Sequence, residues 1–111
     1  MKYHNKLTEI DGIKFHSRKE AERYTILKLM EKSGGISNLE LQKKYVLIPT
    51  IPAAPGVCSA QRSCCYIADF VYTDNKTGRT VVEDVKGMRT EVYKIKKKLM
   101  RYIHGIIIQE V

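Results

Sequence analysis

The chain has 111 residues, 43% hydrophobic and 29% charged, enough for one modest core and too short for two, so a single domain over residues 1–111 is expected. Twenty Lys and Arg against twelve Asp and Glu leave a formal net charge of +8, which points to a polyanionic partner, because clustered cations gain affinity by releasing counterions from phosphates. No segment approaches the roughly 18 apolar residues of a membrane span, and the opening MKYHNKLTE lacks a signal-peptide core, so a soluble cytoplasmic chain with no membrane contact is expected.

In chain order, residues 1–6 read as a flexible basic arm in which Tyr3, His4 and Lys6 can follow a groove. LTEIDGIKFHS alternates around Asp11 and Gly12, a dipeptide suited to a type I′ turn, and predicts a short hairpin. Ser17 is the N-cap of a helix running to about Lys32, with Gly34 and Gly35 as its stop. A strand from Leu39 to Ile48 ends at Pro49, and the segment from Pro49 to Ser63, which holds all three prolines, is an irregular connection. CCYIADFVYT and RTVVEDVKG are two further strands joined by the turn residues DNKTG. A second helix covers about Thr90 to His104, its Val92, Ile95, Leu99, Tyr102 and Ile103 recurring at helical spacing toward the sheet, with Gly105 as C-cap. The closing IIIQEV reads as a short buried strand. Cys58, Cys64 and Cys65 have no CxxC spacing, and His4, His16 and His104 are scattered, so neither a zinc site nor a disulfide framework is indicated.

Chemistry concentrates on two strands. Asp69 interrupts the apolar run YIADFVY, and a carboxylate there costs several kcal/mol unless it is paired or bound to a metal. In TVVEDVKG, alternation puts Val82, Asp84 and Lys86 on one face and Val81, Glu83 and Val85 on the other. If the two strands are neighbours, Asp69, Asp84 and Lys86 meet. Carboxylate oxygens suit Mg²⁺, a bound metal activates water beside a phosphodiester, and a lysine can orient that water or neutralise the transition state. On spacing alone the three residues also fit an ordinary ion-paired sheet edge. A one-residue slip would send Glu83 inward in place of Asp84.

Asp69, Asp84 and Lys86 resemble the D…(D/E)xK signature of the PD-(D/E)XK nuclease superfamily. That likeness implies a restriction-endonuclease-like α+β (α/β) core of a helix, a three-stranded antiparallel meander, a second helix and a further strand in a mixed sheet, here preceded by the hairpin. DGIKFHSRKEAERY, LELQKKYVLIP, YIADFVY and VEDVKG…TEVYKIKKKL are more specifically similar to a small family of phages and prophages, domain of unknown function 1064. The resemblance implies a Mg²⁺-dependent endodeoxyribonuclease, with Mn²⁺ as a substitute, that hydrolyses DNA phosphodiester bonds in phage or prophage DNA processing or recombination, in the cytoplasm of a bacterial host. The metal ligands it implies are Asp69, Asp84, the Val85 carbonyl and Glu20. Glu20 also fits a capping box with Ser17, and the sequence leaves both roles open. Gln42 is either an accessory group touching metal-bound water or DNA, or a surface glutamine, and Glu83 points to the opposite face. Lys94, Lys97, Lys98 and Arg101 on the second helix, with Arg89 and Lys6, are the candidate phosphate contacts, and Lys94 or Lys97 is the helix lysine expected to join the active site. A homodimer would place two sites on two DNA strands. The other function class that remains is a catalytically inactive DNA-binding or interaction module. GxxxxGK, GxGxxG and nucleophile-elbow motifs are absent.

Overall fold

A computed structural model of the chain describes residues 8–85 and 89–111. Strands β1 (Thr8–Ile10) and β2 (Ile13–Phe15) form an antiparallel hairpin across Asp11 and Gly12, whose φ angles of +54° and +78° are those a type I′ turn requires. Helix α1 (Arg18–Lys32) starts where Ser17 Oγ accepts from the Glu20 amide at 3.1 Å. It stops at a Schellman motif in which the Gly34 and Gly35 amides donate to the Glu31 and Met30 carbonyls at 3.1 and 2.9 Å. Strands β3 (Ile36–Ile48), β4 (Cys64–Asp74) and β5 (Arg79–Asp84) follow, then helix α2 (Glu91–His104) and strand β6 (Gln109–Glu110). The main sheet has the order β3-β4-β5-β6, antiparallel up to β5 and parallel between β5 and β6.

The two helices cover opposite faces. α1 buries Ala21, Tyr24 and Leu27 against Phe15, Ile36, Phe70 and Tyr72, while α2 buries Tyr93 and Met100 against Leu47, Tyr66, Val71 and Val82. Adjacent valines on β5 divide accordingly, Val81 packing toward α1 and Val82 toward α2, as a period of two demands. Along β3 and β4 that period is broken at a level where no register shift occurs, apart from the irregularities of β3 near Asn38 and between Val46 and Ile48. Leu41 and its cross-strand partner Phe70 lie in the α1 layer, whereas Tyr45, Tyr66 and Ala68 lie in the α2 layer. Residues two or four apart on a regular strand would share a face. The ribbon therefore turns over at the level of Gln42 and Asp69, and Gln42 carries a left-handed φ of +52° there.

Three local expectations change. β3 begins at Ile36 rather than Leu39, and of the closing apolar segment only Gln109 and Glu110 pair as strand. Ile108 alone of the three consecutive isoleucines is buried. The core-facing side of α2 is also not the stripe its aliphatic spacing indicated, since Val92 is 62% and Tyr102 88% exposed, with Ile95 and Ile103 exposed as well. The helix is turned so that Tyr93 and Met100, seven residues apart, point inward. Tyr93 decides the rotation, because its ring packs in the α2 layer while its hydroxyl donates to Glu110 at 2.7 Å.

Gly105 closes α2 at φ +67° with open space where a Cβ would stand, so its cost to any other residue is conformational rather than steric. Gly105→Ala is expected to lower unfolding free energy by about 1 kcal/mol, read as a shifted urea midpoint at an unchanged denaturant slope.

Candidate functional site

The register Phe70↔Glu83 and Val71↔Val82 sets Asp69 opposite Asp84 at the end of the β4–β5 ladder. Asp69 Oδ2 accepts from the Val85 amide at 2.8 Å, and its Oδ1 accepts from Gln42 Nε2 at 3.2 Å. The same Gln42 nitrogen donates to Glu20 Oε2 at 3.3 Å, so one amide joins a helix carboxylate to a strand carboxylate. Ser17 caps α1, but the Glu20 side chain turns to the sheet, where it is buried. Burial raises the Asp69 pKa above the usual carboxylate range and the Glu20 carboxylate pushes the same way, against the opposing Val85 amide and Gln42 hydrogen bonds. Asp84 is 2% exposed and accepts from the Tyr66 hydroxyl, whose pKa is raised by burial and then by Asp84.

Asp69 and Asp84 line one cleft of about 280 Å³ with Tyr66, Thr90, Tyr93 and Lys96. Thr90 is the N-cap of α2, so the positive end of that helix opens onto the carboxylates. The helix lysine brought to the cleft is Lys96, whereas Lys94 and Lys97 line a separate groove. The three acids split into two contacts, Glu20 with Asp69 through Gln42 and Asp69 with Asp84 in the cleft, and among the described residues no three His, Cys, Asp or Glu side chains stand close enough to hold one metal ion. Lys86 and Lys6, together with the basic arm, lie outside the described residues.

Glu83 faces the other side of the sheet. It is 2% exposed and takes a two-point hydrogen bond from Arg23, Nε to Oε1 at 2.8 Å and Nη2 to Oε2 at 2.6 Å, plus the Tyr72 hydroxyl. The pair raises the Arg23 pKa, and burial followed by the bond to Glu83 pushes Tyr72 up to about 12. Arg23 sits one helical turn from Glu20, so consecutive turns of α1 reach Glu83 on β5 and Gln42 on β3. Sequence reading missed Arg23, Tyr66 and Tyr72. The one available signal was the i, i+3 spacing of Glu20 and Arg23.

The expected phosphate contacts come together in a groove of about 520 Å³ between α2 and β6, lined by Arg89, Lys94, Lys97, Lys98 and Arg101 over Ile95 and Ile107. Glu110, which sequence reading also missed, sits among them. It accepts from Arg89 Nε at 2.7 Å, Tyr93 at 2.7 Å and Lys97 at 3.0 Å, and these partners, Arg89 first, hold its pKa down to about 2.

Two predictions follow from these pairs. Arg23→Ala leaves a buried, unpaired Glu83 and is expected to cost roughly 3 kcal/mol in urea unfolding, the low end for a broken buried pair because Arg23 is 25% exposed. For Glu110, a depressed folded pKa means its stabilisation is complete above the unfolded carboxylate value of about 4.3 and is lost as pH falls toward 2. Wild type should thus unfold at higher temperature than Glu110→Gln at pH 6, and the gap should close progressively below pH 4.

Searches against curated proteins and against solved structures find no significant match. A family model does match. It is described as a protein of unknown function, domain of unknown function 1064, and it spans residues 1–107, nearly the whole chain, so the chain belongs to that family.

Proposed function

We propose that the chain is a metal-dependent DNA endonuclease with a restriction-endonuclease-like core of the PD-(D/E)XK type. The observation that carries this reading is the pairing of Asp69 and Asp84 across β4 and β5 at the mouth of a cleft that also holds Lys96 and the N-terminus of α2. A buried and a half-buried carboxylate side by side at an open cleft are costly in the folded chain, and functional sites are where such arrangements concentrate. The element order supports the reading too, since one helix, three antiparallel strands, a second helix and a parallel strand is the order the superfamily resemblance implies.

By donor type Glu20, Asp69, Asp84 and the Val85 carbonyl suit a hard cation such as Mg²⁺, for which Mn²⁺ is a chemical substitute, and a shared ion would have to draw these oxygens together from their present spacing. When bound there, the metal would supply an activated water and charge neutralisation at the phosphate. Gln42, which satisfies Glu20 and Asp69 together, would hand those oxygens over on metal binding. Lys96 and the amides at the start of α2 would hold phosphate oxygens. Lys86, two residues beyond Asp84, is the lysine this reading assigns to orienting the water. The groove under Arg89, Lys94, Lys97, Lys98 and Arg101 would carry the flanking DNA backbone without reading sequence.

One observation favours a second reading, a DNA-binding module that does not cut: the Gln42 amide already satisfies the two carboxylates it bridges. A panel of supercoiled plasmid, single-stranded and four-way-junction DNA, each with Mg²⁺, Mn²⁺ or EDTA, separates the two. A nuclease nicks at least one substrate with metal only, and Asp84→Ala lowers that rate by roughly a hundredfold or more while DNA binding in EDTA persists. Metal-independent binding without cleavage of any substrate selects the second reading.

A further inference from the structure

Between β3 and β4 the chain makes an excursion, residues 49–63, that is exposed throughout. It is nonetheless built. Ile51 and Gln61 exchange both backbone hydrogen bonds at 2.9 and 2.8 Å, Ala54 and Cys58 do so at 3.0 and 2.9 Å, and Pro55 with Gly56 at φ +79° turns the chain between them. Val57, at the tip, is 84% exposed. In a chain that is 29% charged, the excursion carries a single charged residue, Arg62. It is a stiff, nearly neutral, apolar arm with no core of its own.

The second unpartnered surface is the α2 stripe of Val92, Ile95, Tyr102 and Ile103. Apolar patches of this kind on an ordered domain mark contact sites. Lys94, Lys98 and Arg101 stand beside Ile95, so the basic surfaces of a +8 chain are repelled from that part of the stripe. The arm is the exception. It brings no cluster of positive charge, and Pro49, Pro52 and Pro55 give it backbone carbonyls without matching amides, which are acceptors for the bordering lysines and arginine.

We propose that two copies of the chain exchange arms, residues 49–63 of each lying along the exposed α2 stripe of the other. Reciprocal exchange is an isologous contact that closes on itself and leaves neither apolar surface in water. Prolines and the paired backbone keep the ordering cost of the arm low. A standard interface engages roughly 20–30 residues a side, which an arm and a stripe together approach on each copy. Val92 also lines the Asp69–Asp84 cleft, so the arm of one copy becomes a wall of the cleft of the other.

The test is sedimentation of the full chain at tens of micromolar, without DNA or metal, so its result is independent of whether the chain cuts DNA. Wild type should sediment as a dimer. Val57→Asp and Ile95→Asp, both at exposed positions, should each sediment as monomers with unchanged circular dichroism. Mixed in equal amounts, they should recover a dimer, since one copy keeps an intact arm and the other an intact stripe. Ile95→Cys should form an interchain disulfide with the native Cys58 on mild oxidation, and adding Cys58→Ser should abolish it. A monomeric wild type, a dimer that survives both aspartates, or the absence of that disulfide overturns the proposal. A monomeric wild type whose DNA binding is weakened by Val57→Asp would instead place the arm in a DNA groove.

Discussion

Arg23 and Glu83 meet through two hydrogen bonds on the α1 face of the sheet, and the facing of the acids at the end of β5 depends on that contact. Two consecutive acids end β5, and only one of them can face each side. By claiming Glu83, Arg23 and Tyr72 commit Asp84 to the opposite face, beside Tyr66 and across from Asp69. A slip by one residue would turn Asp84 toward α1 in place of Glu83, one methylene too short to reproduce the two-point bond to Arg23, and would turn Glu83 onto the cleft face. The same contact fixes α1 along the sheet, which sets where Glu20, one turn earlier, can reach.

The second constraint is the overturning of the β3–β4 ribbon. Below Gln42 the large side chains Leu41, Phe70 and Tyr72 serve α1 while Val71 faces α2, and beyond it Tyr45, Leu47, Tyr66 and Ala68 all serve α2, so a single pair of long strands builds both core layers. The crossover level is where Gln42 adopts a left-handed φ and where Asp69 departs from the apolar alternation around it. A non-glycine residue in that region stores backbone strain, which persists when the surroundings hold it in place. Here the surroundings are Glu20 and Asp69, both accepting from the Gln42 amide. Backbone strain, closely set carboxylates and a raised Asp69 pKa thus coincide at one level of the sheet.

Helix caps, turn residues and strand alternation were legible in the chain. Ser17 and Thr90 open the helices, Gly34 and Gly105 end them, Asp11 and Gly12 turn the hairpin, and the alternation of VVED assigns Asp84 and Glu83 to opposite faces. Each of these signals acts within a few residues and so can be read locally. The partner of Glu83, sixty residues away, left only its i, i+3 spacing from Glu20, and the hydroxyls of Tyr66 and Tyr72 and the gathering of Arg89, Tyr93 and Lys97 on Glu110 left no local signal. The face of α2 was misread because aliphatic spacing counts candidates for burial without knowing how much surface awaits them.

By itself, then, the sequence determined the elements, their order and the acids that could share a face, because backbone conformation and periodicity are governed by near neighbours. Only the tertiary structure decided which of those acids meet. Gln42, not Ser17, receives the Glu20 carboxylate, and Lys96, not Lys94 or Lys97, lines the cleft. Those choices turn on the rotation of α2 about Tyr93 and on the turn-over of the ribbon at Gln42 and Asp69. Both are set by how two helices of unequal apolar surface divide one narrow sheet between them, a competition that exists only once the chain has closed on itself.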